Sequence, residues 1–374
     1  MKKIHVISNM YPSAKVSTYG TFVEHFVEQI KNEPDFNVSK TVMYKHSNKF
    51  MRIYSYLFFY MSIILKLTFF NYDVVYVHYV SHVAVPVNFV MKYKKVNVIS
   101  NVHGSDVTST LDKDKKFEKN TKKLLAESSK IVVPSQYMAD FIIEKYDLLI
   151  SKISIYPSGG VDDILFFDST ISTVDLNMLK KYGFETDKKI ITYVSRIDDG
   201  KGWDLFVEAI ELLELNQNRL EEYQFVMVGS GSKSVELYNK LRQLNLDFVN
   251  VIPSQPKEIL AKIYRLSYWV VFPSQLPESL GLVGLEAMAS GTPIIATNYA
   301  GIKTYCEDDV NGLLFELGNV NGLAEKILTA MQIPESKYEE MKRNAIVDTE
   351  KYLSSNLKPY LMNILNSEVI HENT

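Results

Sequence analysis

Glu278 and Glu286 stand in an otherwise uncharged run, PESLGLVGLEAMASGTPIIAT, from Pro277 to Thr297, with Gly281 between them. A carboxylate accepts two parallel hydrogen bonds, which the two cis hydroxyls of a ribose can donate. A second carboxylate in the preceding loop could hold hydroxyls of a sugar. A glycine where a helix begins lets the backbone come close to a phosphate. A solvent-facing Glu286 fits the same spacing. Upstream, in YVSRIDDGKGWDLF, a strand Ile190–Ser195 ends at Arg196, Gly200 and Gly202 bracket Lys201, and a helix begins near Trp203. Two cations in a glycine-flanked turn at a helix N-terminus suit a diphosphate, because fixed positive charge, free N–H groups and the helix dipole add. The alternative is a surface arginine and lysine in a polar loop.

Other patterns narrow the chemistry. VMVGSGSKSVEL places Gly229 and Gly231 after a strand, but Ser234 holds the third glycine position of a dinucleotide fingerprint. The next strand, ending VNVIPS, supplies no acidic residue for a ribose, and the spacing before Lys233 is too short for a phosphate-binding P-loop. A tight turn around Gly229 is the reading that remains. The Asp-Asp pairs at 162–163, 198–199 and 308–309 lie in turn-like segments, so no metal site is expected. Cys306 is the single cysteine, which excludes an internal disulfide and a thiolate metal site and fits a reducing cytosol.

These residues need elements to position them. Strand-like runs at Lys3–Ser8, Val38–Met43, Val74–His78, Val96–Asn101, Ile131–Val133 and Ile153–Tyr156 alternate with helical patterns at Thr21–Lys31, Arg52–Phe70, Phe117–Glu127 and Gln136–Tyr146. The second half repeats this, with strands Ile190–Ser195, Gln224–Val228, Val249–Ile252, Trp269–Phe272 and Ile294–Thr297. Its helices are Trp203–Leu213, Val235–Leu244, Pro256–Arg265 and Gly281–Ser290, and the tail Glu335–Ser367 is mostly helical. Strands joined by crossover helices make parallel sheets covered on both faces. The expectation is α/β: two Rossmann-like doubly wound domains facing a cleft, residues 1–166 and 167–351, divided after YPSGGVDDILF. Ligands in such sheets bind beyond the carboxyl ends of the strands.

The 374 residues are 46% hydrophobic and 23% charged, ordinary for a globular chain. The net charge of −3 calls for no nucleic-acid partner. The sign is uneven: 21 Lys/Arg against 15 Asp/Glu up to Phe166, and 20 against 29 beyond. A basic first half suits an anionic surface or substrate, and scattered solvated lysines explain it equally. The start, MKKIHVISNMYPS, lacks the apolar stretch of a secretion signal. Arg52–Phe70 is apolar and near the length of a membrane span, yet Arg52, Ser55, Ser62 and Lys66 fall on one helical line. A buried amphipathic helix, one docked on a bilayer surface and a spanning helix are the three readings, the first preferred.

ESLGLVGLE, running on through AMASGTPIIAT, resembles the paired-glutamate signature of family 4 retaining glycosyltransferases of the GT-B fold. SRIDDGKG is similar to that family's diphosphate-binding pair, NVHGSD (Asn101–Asp106) to its N-domain histidine loop, YPSGGVDDILF to its interdomain segment and NGLLFELGN (Asn311–Asn319) to a C-domain segment. The motifs keep the family's order over roughly the full chain. The resemblance implies that Arg196 and Lys201 neutralise the leaving nucleoside diphosphate, Glu286 binds the ribose and Glu278 the transferred sugar. It implies that His103 contacts the donor sugar, with Gly104 admitting the backbone, and that Gly20 in STYGTF brings the first loop to the phosphates. That loop departs from the commoner two-glycine form, since Thr21 follows Gly20. Gly281, Leu282 and Gly229 complete the implied nucleotide set, and residues 352–374 would pack back on the first domain.

The function implied is retaining, metal-independent hexosyl transfer in cell-surface polysaccharide biosynthesis. The donor would be a nucleotide sugar, a UDP-sugar before GDP-mannose, acting as substrate with no resident cofactor. The acceptor would be lipid-linked or an oligosaccharide, and the enzyme cytoplasmic, peripheral on the inner face of the membrane. A GT-B sugar-nucleotide epimerase or hydrolase and a non-catalytic nucleotide-sugar-binding subunit are the alternatives.

Overall fold

A computed structural model of the chain describes residues 1–14, 16, 19–46, 48–108, 112–215 and 220–367, with backbone only at 49 and 112–115. The chain forms two compact units, Met1–Gly159 with Leu357–Thr374, and Gly160–Asn356. The turn where they meet in sequence runs through positive φ at Ser158 (51°), Gly159 (89°) and Gly160 (79°), a path two glycines follow without strain. Of the tail expected on the first unit, 368–374 lies outside the described residues.

The first unit is built on β1 (Lys2–Tyr11), β2 (Phe36–Tyr44), β3 (Val74–His78), β4 (Val98–Asn101), β5 (Lys130–Val133) and β6 (Ile153–Ile155). They form one sheet in the order β2-β1-β3-β4-β5-β6, every pair parallel. The period-2 pleat sends alternate residues to opposite faces. Val75 and Val77 of β3 join one core while Val74 and Tyr76 join the other. The helices are α1 (Thr21–Lys31), α2 (Lys49–Phe69), α3 (Val80–Met91), α4 (Ser105–Thr108), α5 (Asp112–Glu127) and α6 (Gln136–Tyr146). The pattern misses α3, because VSHVAVPVNFVM is apolar nearly all round, buried on most sides, and shows little 3.6-residue contrast.

The second unit opens with α7 (Thr173–Lys180). Its strands are β7 (Lys189–Val194), β8 (Tyr223–Val228), β9 (Asn250–Ile252), β10 (Trp269–Phe272), β11 (Ile294–Thr297) and β12 (Gly312–Phe315). They lie in the order β12-β11-β10-β7-β8-β9, all parallel, with α8 (Trp203–Leu215), α9 (Ser234–Gln243), α10 (Lys257–Leu266), α11 (Leu282–Ala289), α12 (Val320–Gln332) and α13 (Glu335–Thr349) as crossovers and flanks. Strand β12 is absent from the sequence expectation because GLLF is short and was recognised only as a motif. Ile191, Tyr193, Phe225 and Trp269 fill one core, Ile190, Val226, Val270 and Phe272 the other. Each such side chain contributes about 1.5–3 kcal/mol by leaving water. The last helix, α14 (Ser354–Asn366), buries Leu357, Leu361, Ile364 and Leu365 beside Ile4 and Phe26 of the first unit. Lys358 pairs with Glu33 there at 2.6 Å.

Strand order fixes where a ligand can sit. In the second unit β7 comes first in sequence and lies between β10 and β8, so later strands are added on opposite sides of it. The crevice beyond the carboxyl ends of β7 and β10 is therefore the switch point. In the first unit the equivalent point lies between β1 and β3.

Candidate active site

The turn after β7 carries Arg196 and Lys201, and the loop after β10 carries Glu278, so neighbouring strands deliver both loops to the switch point. Lys201 Nζ donates to Glu278 Oε1 at 2.6 Å, and both side chains are largely shielded. Ser274 Oγ donates to the same oxygen at 2.7 Å. The loops are locked by backbone contact. A Cβ on Gly202 would fall 1.9 Å from the Pro273 carbonyl oxygen, and φ is 73° there. A Cβ on Gly229 would fall 1.9 Å from the Ser195 carbonyl oxygen. Gly229, expected among the nucleotide contacts, thus has a structural duty that fixes its identity: it seats the β8 turn on the β7 turn. Tyr193 buries its ring under the turn and donates from its hydroxyl to the carbonyls of Arg196 (3.3 Å) and Lys201 (3.2 Å).

Arg196 is on the same turn, but its guanidinium reaches outward. Its side chain is 69% exposed and pairs with Asp198 at 2.7 Å. Asp198 is held below the usual carboxylate range by the Ser232 amide and hydroxyl, with Arg196 adding to the effect. The structure thus joins Lys201 to Glu278 directly and leaves Arg196 beside them with a different partner.

Helix α11 begins at Leu282, one residue later than the pattern suggests, because Gly281 serves as its N-cap in the left-handed region (φ 90°). A Cβ at Gly281 would meet Phe272 at 2.9 Å and the Tyr305 hydroxyl at 3.0 Å. No side chain caps this end, so the first-turn amides, Leu282 among them, stay available to an anion. Glu286 lies about a turn further on and is 8% exposed, which removes the solvent-facing alternative. Burial raises its pKa, opposed by the Lys257 ammonium at 3.6 Å and by the Tyr264 hydroxyl. Ser274, Lys257 and Tyr264 were missed in the sequence. No motif marks them, since they approach the site only through the folding of β10 and α10.

In the first unit, His103 follows β4 and Gly20 follows β1. The two are linked through Phe22, whose ring lies 4.4 Å from the His103 ring. Gly20 caps α1 at φ 79°, and a Cβ there would press the Met10–Tyr11 peptide at 2.7 Å. His103 Nε2 is 3.0 Å from Nδ1 of His78, the last residue of β3. Its backbone N–H donates to Asp106 Oδ1 (3.0 Å), whose other oxygen accepts from Val80 N–H (3.0 Å). Gly104, at φ 104°, makes this tight return possible. Burial lowers the pKa of both imidazoles and raises Asp106 to about 6. Both histidines are therefore neutral at neutral pH and act as hydrogen-bonding groups. His78 was passed over as a strand residue, although a histidine closing a parallel strand is a signal that could have found it.

The halves of the chain match two family models: "Glycosyltransferase Family 4" over residues 22–162 and "Glycosyl transferases group 1" over residues 175–348. A D-inositol 3-phosphate glycosyltransferase of Xylanimonas cellulosilytica is 31% identical over 200 residues, 52% of this chain and 46% of the relative. Its counterpart from Nocardia farcinica is 31% identical over 201 residues, 52% of this chain and 43% of the relative. The chain spans about half the length of the curated relatives it matches. Among solved structures, sucrose-phosphate synthase from Thermosynechococcus elongatus superposes with a TM-score of 0.78 at 17% identity, covering 98% of both chains. Anabaena Alr3699/HepE in complex with UDP-glucose gives 0.76 at 16%, covering 98% of this chain and 100% of that one. The chain thus joins a Glycosyltransferase Family 4 match to a Glycosyl transferases group 1 match on two parallel six-stranded sheets, and its fold is GT-B.

Proposed function

We propose that the protein moves a hexose from a nucleoside-diphosphate sugar, a UDP-sugar by preference, to a glycan acceptor with retention of anomeric configuration. The observation that carries this is the Lys201–Glu278 pair at the switch point beside the uncapped start of α11. A cation, a sugar-binding carboxylate and free amides are the three things a sugar diphosphate needs. Solved structures of the same fold, Anabaena Alr3699/HepE among them, are complexes with UDP or UDP-glucose, which supports the donor class. In the proposed reaction the bond from C1 to the diphosphate oxygen breaks and its electron pair stays with the diphosphate. Lys201, Arg196 and the α11 amides offset the charge that develops. The acceptor hydroxyl oxygen bonds to C1 on the same face, and its proton passes to a β-phosphate oxygen. Glu286 takes the ribose hydroxyls, Glu278 and His103 the sugar hydroxyls. Since the chain itself supplies the positive charge, the reading assigns no metal.

A lipid-linked acceptor in surface-polysaccharide synthesis at the cytoplasmic face fits the basic first half of the sequence. A second acceptor class, an inositol phosphate, is favoured by the names of the relatives that match half the chain. The test is incubation with UDP-, GDP- and ADP-hexoses, with lipid-diphosphate, oligosaccharide or inositol-phosphate acceptors, with and without EDTA. Transfer from one donor class that persists in EDTA, giving the donor's anomer, supports the proposal. Loss of transfer in EDTA with recovery in Mg²⁺ overturns the metal-free step. Donor hydrolysis without any acceptor dependence overturns transfer.

A further inference from the structure

Helix α2 carries an apolar face that the fold does not use. Among its described residues only Phe59, Ile63 and Leu67 are fully buried, along a line that packs on the first unit's core. At 3.6 residues per turn, the side opposite that line spans roughly 160° and carries Phe50, Ile53, Tyr54, Leu57, Phe58 and Met61 among others. Phe50 is 82% exposed, Leu57 60% and Met61 60%. Within this sector only Thr68 and the Tyr54 hydroxyl are polar. The preferred expectation of a buried helix is therefore corrected: the helix is amphipathic, but most of its apolar side faces outward. Its core contacts are with α3 and the edge strand β2, which cover only one side of it.

Ser55, Ser62 and Lys66 run between the buried and exposed sides, and Arg52 continues the buried line towards the helix start, where it is exposed. Beside this boundary, between α2 and β2, lies a groove of about 440 Å³ whose lining includes the polar Lys40, His46, Ser55 and Lys66 and the apolar Phe58 and Met43. No acidic residue lines it, and α2 contains none. Lys40, Lys66 and Arg52 have no carboxylate partner among the described residues, whose ion pairs lie elsewhere. Lys40 Nζ rests on the Tyr11 hydroxyl and Lys66 Nζ on the Lys40 carbonyl. At the other end of the helix, Lys94 Nζ binds the carbonyls of Leu67 and Phe70 at 2.7 Å.

We propose that α2 is a bilayer-docking element: its outer face enters the interface of an anionic membrane while the adjoining groove takes an anionic lipid head group. Uncompensated cations along the edge of an exposed apolar face match that surface in charge as well as polarity. A second copy on the same face would set these cations against their own kind. Though α2 is long and apolar enough to span a membrane, its buried line and the Lys94 clasp tie it lengthwise to the domain, so it lies in the surface plane. No residue here belongs to the donor site, so the inference stands apart from the transfer reading.

The test is flotation of the full chain with vesicles of phosphatidylcholine alone and of phosphatidylcholine with equal phosphatidylglycerol, with UDP affinity measured in parallel. Binding to the mixed vesicles should exceed binding to the neutral ones. Lys66→Gln and Arg52→Gln should each weaken binding to the mixed vesicles roughly fivefold, with little effect on the neutral ones. The Leu57→Glu/Met61→Glu double variant, at exposed positions, should lose more than tenfold on both while melting and binding UDP as the parent does. Three results overturn the proposal. One is no vesicle binding by the parent chain. Another is inorganic phosphate being the only ligand whose binding depends on Lys66. The third is a dimer in sedimentation that Leu57→Glu breaks with no lipid bound.

Discussion

Removing either partner of the Lys201–Glu278 pair should separate their roles. Lys201 Nζ sits 2.6 Å from Glu278 Oε1 with side-chain exposures of 14% and 19%, so the pair is shielded and its charges are each other's nearest compensation. A hydrogen bond between charged groups is worth about 1.5–3 kcal/mol, roughly 10- to 150-fold in an equilibrium constant. In Lys201→Ala, Glu278 keeps Ser274 Oγ at 2.7 Å but loses its cation, so the protein should melt lower. If Lys201 also holds the diphosphate, UDP affinity should fall by that same factor, and turnover by about 10²–10³, the usual cost of losing a transition-state donor. Glu278→Gln should behave oppositely toward the nucleotide. It frees the ammonium from its carboxylate, so UDP should bind as well as before or several-fold tighter, while hexose transfer still falls because the sugar loses its acceptor. Calorimetric titration with UDP and a chromatographic transfer assay read the two quantities separately. Parent-like UDP affinity in Lys201→Ala, or equal loss of UDP affinity in both variants, would refute the reasoning.

Gly202→Ala forces a Cβ to within 1.9 Å of the Pro273 carbonyl at φ 73°, whereas Gly318→Ala at φ 72° meets nothing within 4 Å. The first should lower the melting temperature well beyond the second, whose cost is backbone strain of about 1–3 kcal/mol; equal shifts in a thermal scan would show that the loops are not locked as described. Glu286 has its carboxyl pKa raised by burial, so between its ordinary value and the folded one the native state holds more protons and stability falls as pH rises. Glu286→Gln should therefore flatten the pH dependence of melting in that window and gain stability above it, while weakening UDP; an unchanged profile counts against the assignment. His78→Phe removes the 3.0 Å partner of His103 Nε2. Transfer should drop and UDP affinity hold, and a variant with normal transfer would free His103 of that support.

Much of this protein could be read before folding was considered. Strands β3, β10 and β11 end where the apolar runs end, because parallel strands buried on both faces must be continuously apolar and the chain breaks polarity at their termini. That Lys201, Glu278 and Gly281 stand in turns after strands was legible, because the apolar runs before them mark where those strands end. Partners that meet only through packing were not legible. Ser274 beside Glu278, Lys257 beside Glu286 and His78 beside His103 come from different parts of the chain, and no local pattern encodes a contact made across crossovers. Gly229 shows the same limit, since its closeness to the Ser195 carbonyl exists only when β7 and β8 pair. Backbone preference and side-chain chemistry are local, so residue order alone shows which positions could be helix, strand, cation or carboxylate. That Arg196 turns to Asp198, that Glu286 is buried and that α2 shows its apolar side outward emerge from packing, because each depends on which surfaces the neighbouring elements leave free.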